Sequence, residues 1–149
     1  MAVEVARVDA GVTLPLRQRI LRPHQTVAEL AAEDDAEAVH FAALDGGDVV
    51  GVGLVQREVP AWGSLGDGPW WRLRGMATDE AWRNRGVGAA VLDAVVIHVR
   101  EAGGGRLWCE ARTPALSFYV RAGFATHGEA WVDPLIGPHV AMHRLVEPD

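Results

Sequence analysis

The longest periodic stretch of the chain runs from Val87 to Ala102, where Val87, Ala90, Val91, Ala94, Val95, His98 and Ala102 recur at spacings of three and four. That period predicts an α-helix of about four turns with one wide apolar face. Gly103-Gly104-Gly105 then stops it. Alternation of apolar and polar positions predicts strands over Ala2–Val8, Ala125–Trp131 and His139–Val146, and Arg106–Glu110 reads as a short buried strand. Val39–Leu44 and Val49–Val59 form a hairpin across Asp45-Gly46-Gly47-Asp48, because the two glycines supply the positive φ that tight turns require. Trp70–Thr78 is a further strand, and Gly75 within it predicts a bulge or a close backbone approach. Thr13 as a cap and Pro15 in the first turn predict a helix over Leu14–Leu21, with a shorter one over Val27–Ala32. Thr113-Pro114 starts another, with Ala115, Phe118, Tyr119 and Ala122 on one face and Gly123 at its end. Trp70–Thr78, the Val87 helix and Arg106–Glu110 make a β-α-β unit, so the two strands are expected to be parallel neighbours with a right-handed crossover.

Composition narrows the class. At 149 residues, 49% hydrophobic, the chain is expected to form one α/β (α+β) domain over 1–149. No apolar run approaches the roughly 18 residues that span a bilayer, so no membrane partner is expected. Met1-Ala2-Val3-Glu4 lacks a basic start followed by an apolar core, and a lone Cys109 forms no internal disulfide; a cytoplasmic location is the expectation. The net charge is −6, and all 14 basic residues are arginines scattered along the chain, which argues against nucleic acid as a partner. Arg22-Pro23-His24-Gln25 and the acidic Glu33-Asp34-Asp35-Ala36-Glu37 read either as solvated loops or as one wall of an acceptor site that draws in a protonated amine, with His24 as a substrate-side candidate.

The helix over Val87 opens on Arg83-Asn84-Arg85-Gly86-Val87-Gly88. The first N–H groups of a helix have no intrahelical partner and the macrodipole adds partial positive charge there, so main chain alone can hold an anion. Gly86 and Gly88 remove Cβ atoms from that approach, and Arg83 and Arg85 add charge around it. A phosphate cradle is the first reading; glycines placed for tight packing at a helix start are the alternative. The lysine that a P-loop needs is absent from the chain, and Val91 stands where a dinucleotide-binding fingerprint needs Gly or Ala, so both nucleotide readings are weak.

This R-x-x-G-x-G turn after an apolar strand resembles motif A of the GNAT superfamily of acyl-CoA-dependent N-acetyltransferases. Arg112-Thr113-Pro114-Ala115-Leu116-Ser117-Phe118-Tyr119-Val120-Arg121-Ala122-Gly123-Phe124 resembles motif B, with Arg112 where Asn is usual. Leu14–Arg22, Asp34-Asp35, His40, Ala111-Arg112 and Pro138-His139-Val140-Ala141-Met142 are similar to the branch that includes ElaA. The resemblance covers nearly the whole chain. It implies the GNAT fold, a mixed and mainly antiparallel splayed sheet with helices on both faces. It implies acetyl-CoA as co-substrate, no metal, and an amine of a small molecule or of a protein or peptide as acceptor, with monomer and homodimer both open. Carried over by position, main chain at Met76, Ala77 and Thr78 pairs with pantetheine, and Arg83, Asn84, Arg85, Gly86, Val87, Gly88 and Ala89 hold the pyrophosphate. Arg112 is expected to reach an acceptor carboxylate or a coenzyme phosphate.

Direct transfer from a thioester to an amine needs a proton donor for the thiolate and a base for the amine. Tyr119 aligns with the family's general acid, and a phenol with reference pKa about 10 is protonated when a thiol of about 8.5 departs. Glu110, acting through water, leads the candidates for the base; His127, Glu129 and His139 follow, with His139 also on the substrate side. His139 and His143 cannot share a metal ion, since four residues of strand span about 13 Å. Cys109 reads as core rather than nucleophile. Two other readings stay open: a non-catalytic acyl-CoA-binding or sensing module of the same fold, and a nucleotide-binding protein.

Overall fold

A computed structural model of the chain describes residues 3–149. Seven strands hydrogen-bond in the order β1-β2-β3-β4-β5-β7-β6, giving the expected mixed and mainly antiparallel sheet. The strands are β1 (Glu4–Val8), β2 (Val39–Asp45), β3 (Asp48–Arg57), β4 (Trp70–Thr78), β5 (Gly105–Arg112), β6 (Ala125–Asp133) and β7 (Gly137–Val146). The helices are α1 (Ala10–Leu21), α2 (Val27–Glu33), α3 (Val87–Glu101) and α4 (Leu116–Arg121). Ala2, the expected start of the first strand, lies outside the described residues. By compactness the chain divides into two units, one holding the chain up to Gln56 with Leu73–His98, the other Arg57–Arg72 with Val99–Asp149.

In the first unit β1, β2 and β3 form an antiparallel meander. Gly46 and Gly47, at φ 55° and 97°, make the two-residue hairpin turn that their sequence demands. Side chains alternate across β3. Val52 joins Leu16 of α1, Ala42 and Ala77 in one cluster, flanked by Ile20 and Leu21. Gly51 and Gly53 face α3 instead: a Cβ on Gly51 would lie 2.4 Å from Val87 Cγ1, and one on Gly53 would lie 2.9 Å from Val91 Cγ1. The first unit therefore carries a helix on each face of its sheet, α3 so close that only glycine fits beneath it.

Helix α1 starts four residues earlier than expected, from Asp9 as N-cap. Thr13 is not the cap; it is fully buried one turn in, its hydroxyl donating to Ala10 O at 2.8 Å. Pro15 lies inside the helix, and Gly11, whose carbonyl would have accepted the missing N–H, is exposed. The face of α3 is rotated slightly from the expected one. Val87, Val91, Leu92, Val95, Val96 and Val99 are buried, while Ala90, Ala94 and His98 sit at the margin and Ala102 is exposed.

In the second unit β7 inserts between β5 and β6, antiparallel to both. Trp70, Trp71 and Arg72 of β4 pair in parallel with Arg106, Leu107 and Trp108 of β5, as the β-α-β reading requires. Strand β5 runs two residues past its expected end and carries Ala111 and Arg112. Thr113–Ala115 is a 3-10 turn, so the motif B helix is a short one, capped at its C-terminus by Ala122 and held there by Arg144 Nη1 donating to Ala122 O at 2.9 Å.

Candidate functional site

In the first unit β4 runs through Asp79 and a 3-10 turn at Glu80–Trp82 into Arg83–Gly86, from which α3 begins. Asp79 N–H donates to Val50 O at 2.9 Å, and the Asp79 carboxylate accepts from Ala81 N–H at 2.9 Å. Arg19 of α1 ties the same corner, pairing with Asp79 at 3.1 Å and with Glu80. The turn itself needs two left-handed residues, Asn84 at φ 62° and Gly86 at φ 80°, a conformation glycine adopts freely and Asn tolerates better than most. A Cβ on Gly86 would meet no protein atom within 4 Å, so glycine is required there for its φ.

Ala90 N–H donates to Gly86 O at 3.0 Å. The N–H groups of Val87, Gly88 and Ala89 precede that bond and have no acceptor within the helix. Arg83, Asn84 and Arg85 around them are exposed, with the Arg85 guanidinium 5.0 Å above the Trp82 ring. Main-chain donors and a dipole end thus lie beside one exposed turn that carries two arginines, an arrangement suited to a phosphate. In β4, Met76 turns its side chain toward Gly53 while Ala77 points into the Leu16 cluster on the opposite face. His24 lies in the exposed turn between α1 and α2. Asp34, expected in a solvated or acceptor-lining acidic run, is instead buried in a bidentate pair with Arg17, both N···O distances 2.8 Å.

In the second unit Tyr119 is the buried residue of α4, its ring edge-on to Phe118 at 5.0 Å and Phe124 at 5.4 Å. Burial pushes its phenol well above the ordinary value. Cys109 is buried, and loss of hydration pushes its thiol up to about 12, which fits core and not a nucleophile. Glu110 is exposed at the end of β5 and accepts from Arg72 at 2.6 Å; Arg72 also reaches Glu58 at 3.1 Å and stacks over Trp108. Arg112 is opposite His139 in the β5–β7 register, and Trp131 is opposite His139 on the other side, its ring stacked on the imidazole at 5.7 Å. His139 is buried with Nδ1 2.8 Å from Gly137 O. The structure thus joins Arg112 and His139, and it gives Glu110 a guanidinium partner.

Trp62 and Trp70 do not form an exposed aromatic surface. Trp70 is buried with its indole N–H donating to Ser64 O at 2.8 Å, and Trp62 is wedged between His127, stacked at 4.0 Å, and the edges of Trp70, Trp108 and His143. This cluster, Arg72 and Arg17 were not legible as functional or structural partners in the sequence, because each joins segments far apart along the chain. Gly51-Val52-Gly53 did carry a signal, two glycines one residue apart in an apolar strand. Among the described residues no group of three or more His, Cys, Asp or Glu is placed to hold a metal ion, and no helix is long and apolar enough to cross a membrane.

The Acetyltransferase (GNAT) family model matches residues 12–124, most of the chain, including the Arg83–Gly86 turn and α4. The chain belongs to the GNAT acetyltransferase family. This GNAT chain is 30% identical over 146 residues to YitI of Bacillus subtilis, an uncharacterized N-acetyltransferase, with 97% of each covered. The ribosomal-protein-S18-alanine N-acetyltransferase of Escherichia coli shares its fold at TM-score 0.77 and 16% identity, covering 99% of this chain and 96% of that one. Escherichia coli ElaA does so at TM-score 0.73 and 16% identity, covering 96% and 99%. An aminoglycoside 6'-N-acetyltransferase complexed with coenzyme A does so at TM-score 0.73 and 13% identity, covering 98% of each. The GNAT acetyltransferase assignment makes an acyl group the cargo and an amine its general class of acceptor.

Proposed function

We propose that this acetyltransferase moves an acetyl group from acetyl-CoA to a primary amine by direct transfer in a ternary complex, with residues 1–149 working as one domain. The observation that carries the reading is the Arg83–Ala89 segment, where main-chain N–H groups without helical acceptors begin α3 beside an exposed turn that carries two arginines. Val87, Gly88 and Ala89 N–H groups take the coenzyme diphosphate, with Arg83 and Arg85 flanking it. Main chain at Met76, Ala77 and Thr78 pairs with the pantetheine amides as an added strand would. A coenzyme A complex of a fold neighbour supports that ligand class.

Amine nitrogen attacks the thioester carbonyl, the carbon–sulfur bond breaks, and the departing thiolate takes the Tyr119 proton. Burial raises the Tyr119 phenol above its ordinary value, which keeps it protonated and by the same shift makes it a weaker acid toward the thiolate. Cys109, with a thiol raised to about 12, forms no acyl-cysteine intermediate in this scheme. Proton uptake from the amine falls to Glu110 through water or to His139. A ring nitrogen 2.8 Å from a carbonyl oxygen must carry the hydrogen, so Nδ1 of His139 donates to Gly137 O and Nε2 is the nitrogen that would act as the base. Glu110 for its part must share its charge with Arg72. Comparing pH–rate profiles of Glu110→Gln and His139→Gln separates them: the variant that loses the acidic limb has lost the base.

The test of the reading as a whole is a thiol-release screen of an amine panel with acetyl-CoA, spanning polyamines, amino acids, aminoglycosides and peptide N-termini. One or more amines releasing stoichiometric free coenzyme A with a matching N-acetyl product is the expected result. A protein that binds coenzyme A and acetylates none of these amines would leave a binding module and overturn the catalytic reading.

A further inference from the structure

Against Gly75 of β4 lies a buried charged cluster that the family assignment does not use. Arg17 of α1 is nearly inaccessible, with its side chain 4% exposed, and Asp34, which follows α2, is 7% exposed. Arg17 Nη1 and Nη2 donate to the two Asp34 oxygens at 2.8 Å each, a fork-to-fork pairing that fixes the guanidinium plane. Thr13 adds to the fixing: its proton goes to Ala10 O, so its oxygen is left to accept, and Arg17 Nη1 and His40 Nδ1 face it at 3.4 Å each. The other side of the guanidinium meets backbone. A Cβ on Gly75 would lie 3.0 Å from Arg17 Nε, 3.4 Å from Arg17 Cδ and 3.1 Å from Leu54 Cδ2. Gly75 has φ 64°, in the left-handed region, so its missing side chain serves both its conformation and the cation that lies where the side chain would be.

We propose that the buried Arg17–Asp34 pair is a positioning device for acyl-CoA, holding the left-handed backbone at Gly75 so that Met76, Ala77 and Thr78 present their main chain in the geometry that pairs with pantetheine. This deepens the reading above and rests on it. A buried ion pair is weak support for stability, since apolar residues of similar size often replace one at no loss, so its presence calls for a role in conformation. Gly75, against which Arg17 packs, is one residue before the strand segment assigned to the coenzyme, and a displacement of about 1 Å in such a segment is enough to weaken binding and catalysis severely. His40, kept in its neutral form by burial and by the Arg17 and Arg74 charges against the opposing pull of Asp34, adds no second cation beside Arg17 at neutral pH. Asp34 is held below the ordinary carboxylate range although burial works against it, because the Arg17 hydrogen bonds and charge outweigh that cost.

Three proteins test this: wild type, Asp34→Asn, and the double variant Arg17→Met with Asp34→Leu, in which no buried charge is orphaned. Each is titrated with coenzyme A by calorimetry, its melting temperature is recorded, and its KM for acetyl-CoA and kcat are measured with one amine. The expected result is a folded double variant, melting at or above wild type, whose coenzyme A affinity falls at least about tenfold and whose KM for acetyl-CoA rises in step. Asp34→Asn should weaken binding in the same direction with a lower melting temperature; if it does not fold, the double variant decides. Unchanged affinity in the folded double variant would overturn the positioning role and leave the acetyltransferase reading standing. Wild type that fails to bind coenzyme A would overturn the reading itself, and the positioning role with it.

Discussion

Tyr119 and His40 show how burial acts on single groups here. Tyr119→Phe removes only the phenolic oxygen from a ring packed between Phe118 and Phe124, so the fold should be retained. In steady-state assays kcat should fall by about 10²- to 10⁴-fold while calorimetric affinity for coenzyme A is kept; undiminished kcat would remove Tyr119 from the proton transfer. His40 bears on stability. Its folded pKa is depressed below the reference 6.5, chiefly by desolvation, and His143 is shifted the same way by burial first and by the His127 and Arg106 charges after it. Below pH 6.5 the unfolded chain therefore takes up protons that the native histidines refuse. Their contribution is complete above that pH and lost as pH falls through the native values. Denaturant titrations should show stability dropping as pH goes from 7 toward 5, and His40→Gln should flatten part of that slope. A slope identical to wild type would mean His40 is hydrated in the native state.

At the level of elements, β3 and α3 are matched through absent side chains. Gly51→Ala puts a carbon 2.4 Å from Val87 Cγ1, at the first residue of the helix whose N-terminus forms the proposed diphosphate turn. Overpacking of that kind costs about 1–3 kcal/mol, so the variant should melt several degrees lower and bind coenzyme A more weakly. Gly11→Ala, where an added Cβ meets nothing within 4 Å inside α1, serves as the control: it should melt at or slightly above wild type and leave coenzyme A binding unchanged. The elements themselves were largely readable because their periods and punctuation are local. Gly46-Gly47, Gly75 and Gly103-Gly104 each mark a positive-φ position in the structure. The start of α1 was misplaced because Thr13 and Pro15 have the chemistry of a helix start, yet Thr13 packs as core and Pro15 sits at an exposed turn that tolerates a missing N–H. Asp34 was misjudged because its partner Arg17 lies on another helix, and the sequence shows an acidic run without showing which member is paired. The Trp62 cluster and the Arg72 contacts to Glu58 and Glu110 were hidden for the same reason.

For the molecule as a whole, membership of the GNAT family fixes the chemistry as acyl transfer, and the reading adds that acetyl-CoA is held chiefly by main chain of β4 and of the turn before α3. Ligand that binds only the native state stabilises it, by about 2.7 kcal/mol at 100 times its dissociation constant. Acetyl-CoA should therefore raise the melting temperature in a concentration-dependent way, whereas ATP and NAD at equal concentration should not; the reverse pattern would favour a nucleotide-binding protein. The central claim is tested most directly by a crystal structure of the protein with acetyl-CoA bound. The account predicts diphosphate oxygens within about 3 Å of the N–H groups of Val87, Gly88 and Ala89, and pantetheine amides paired with the main chain of Met76 to Thr78. A coenzyme bound with its diphosphate elsewhere, and that turn untouched, would contradict it.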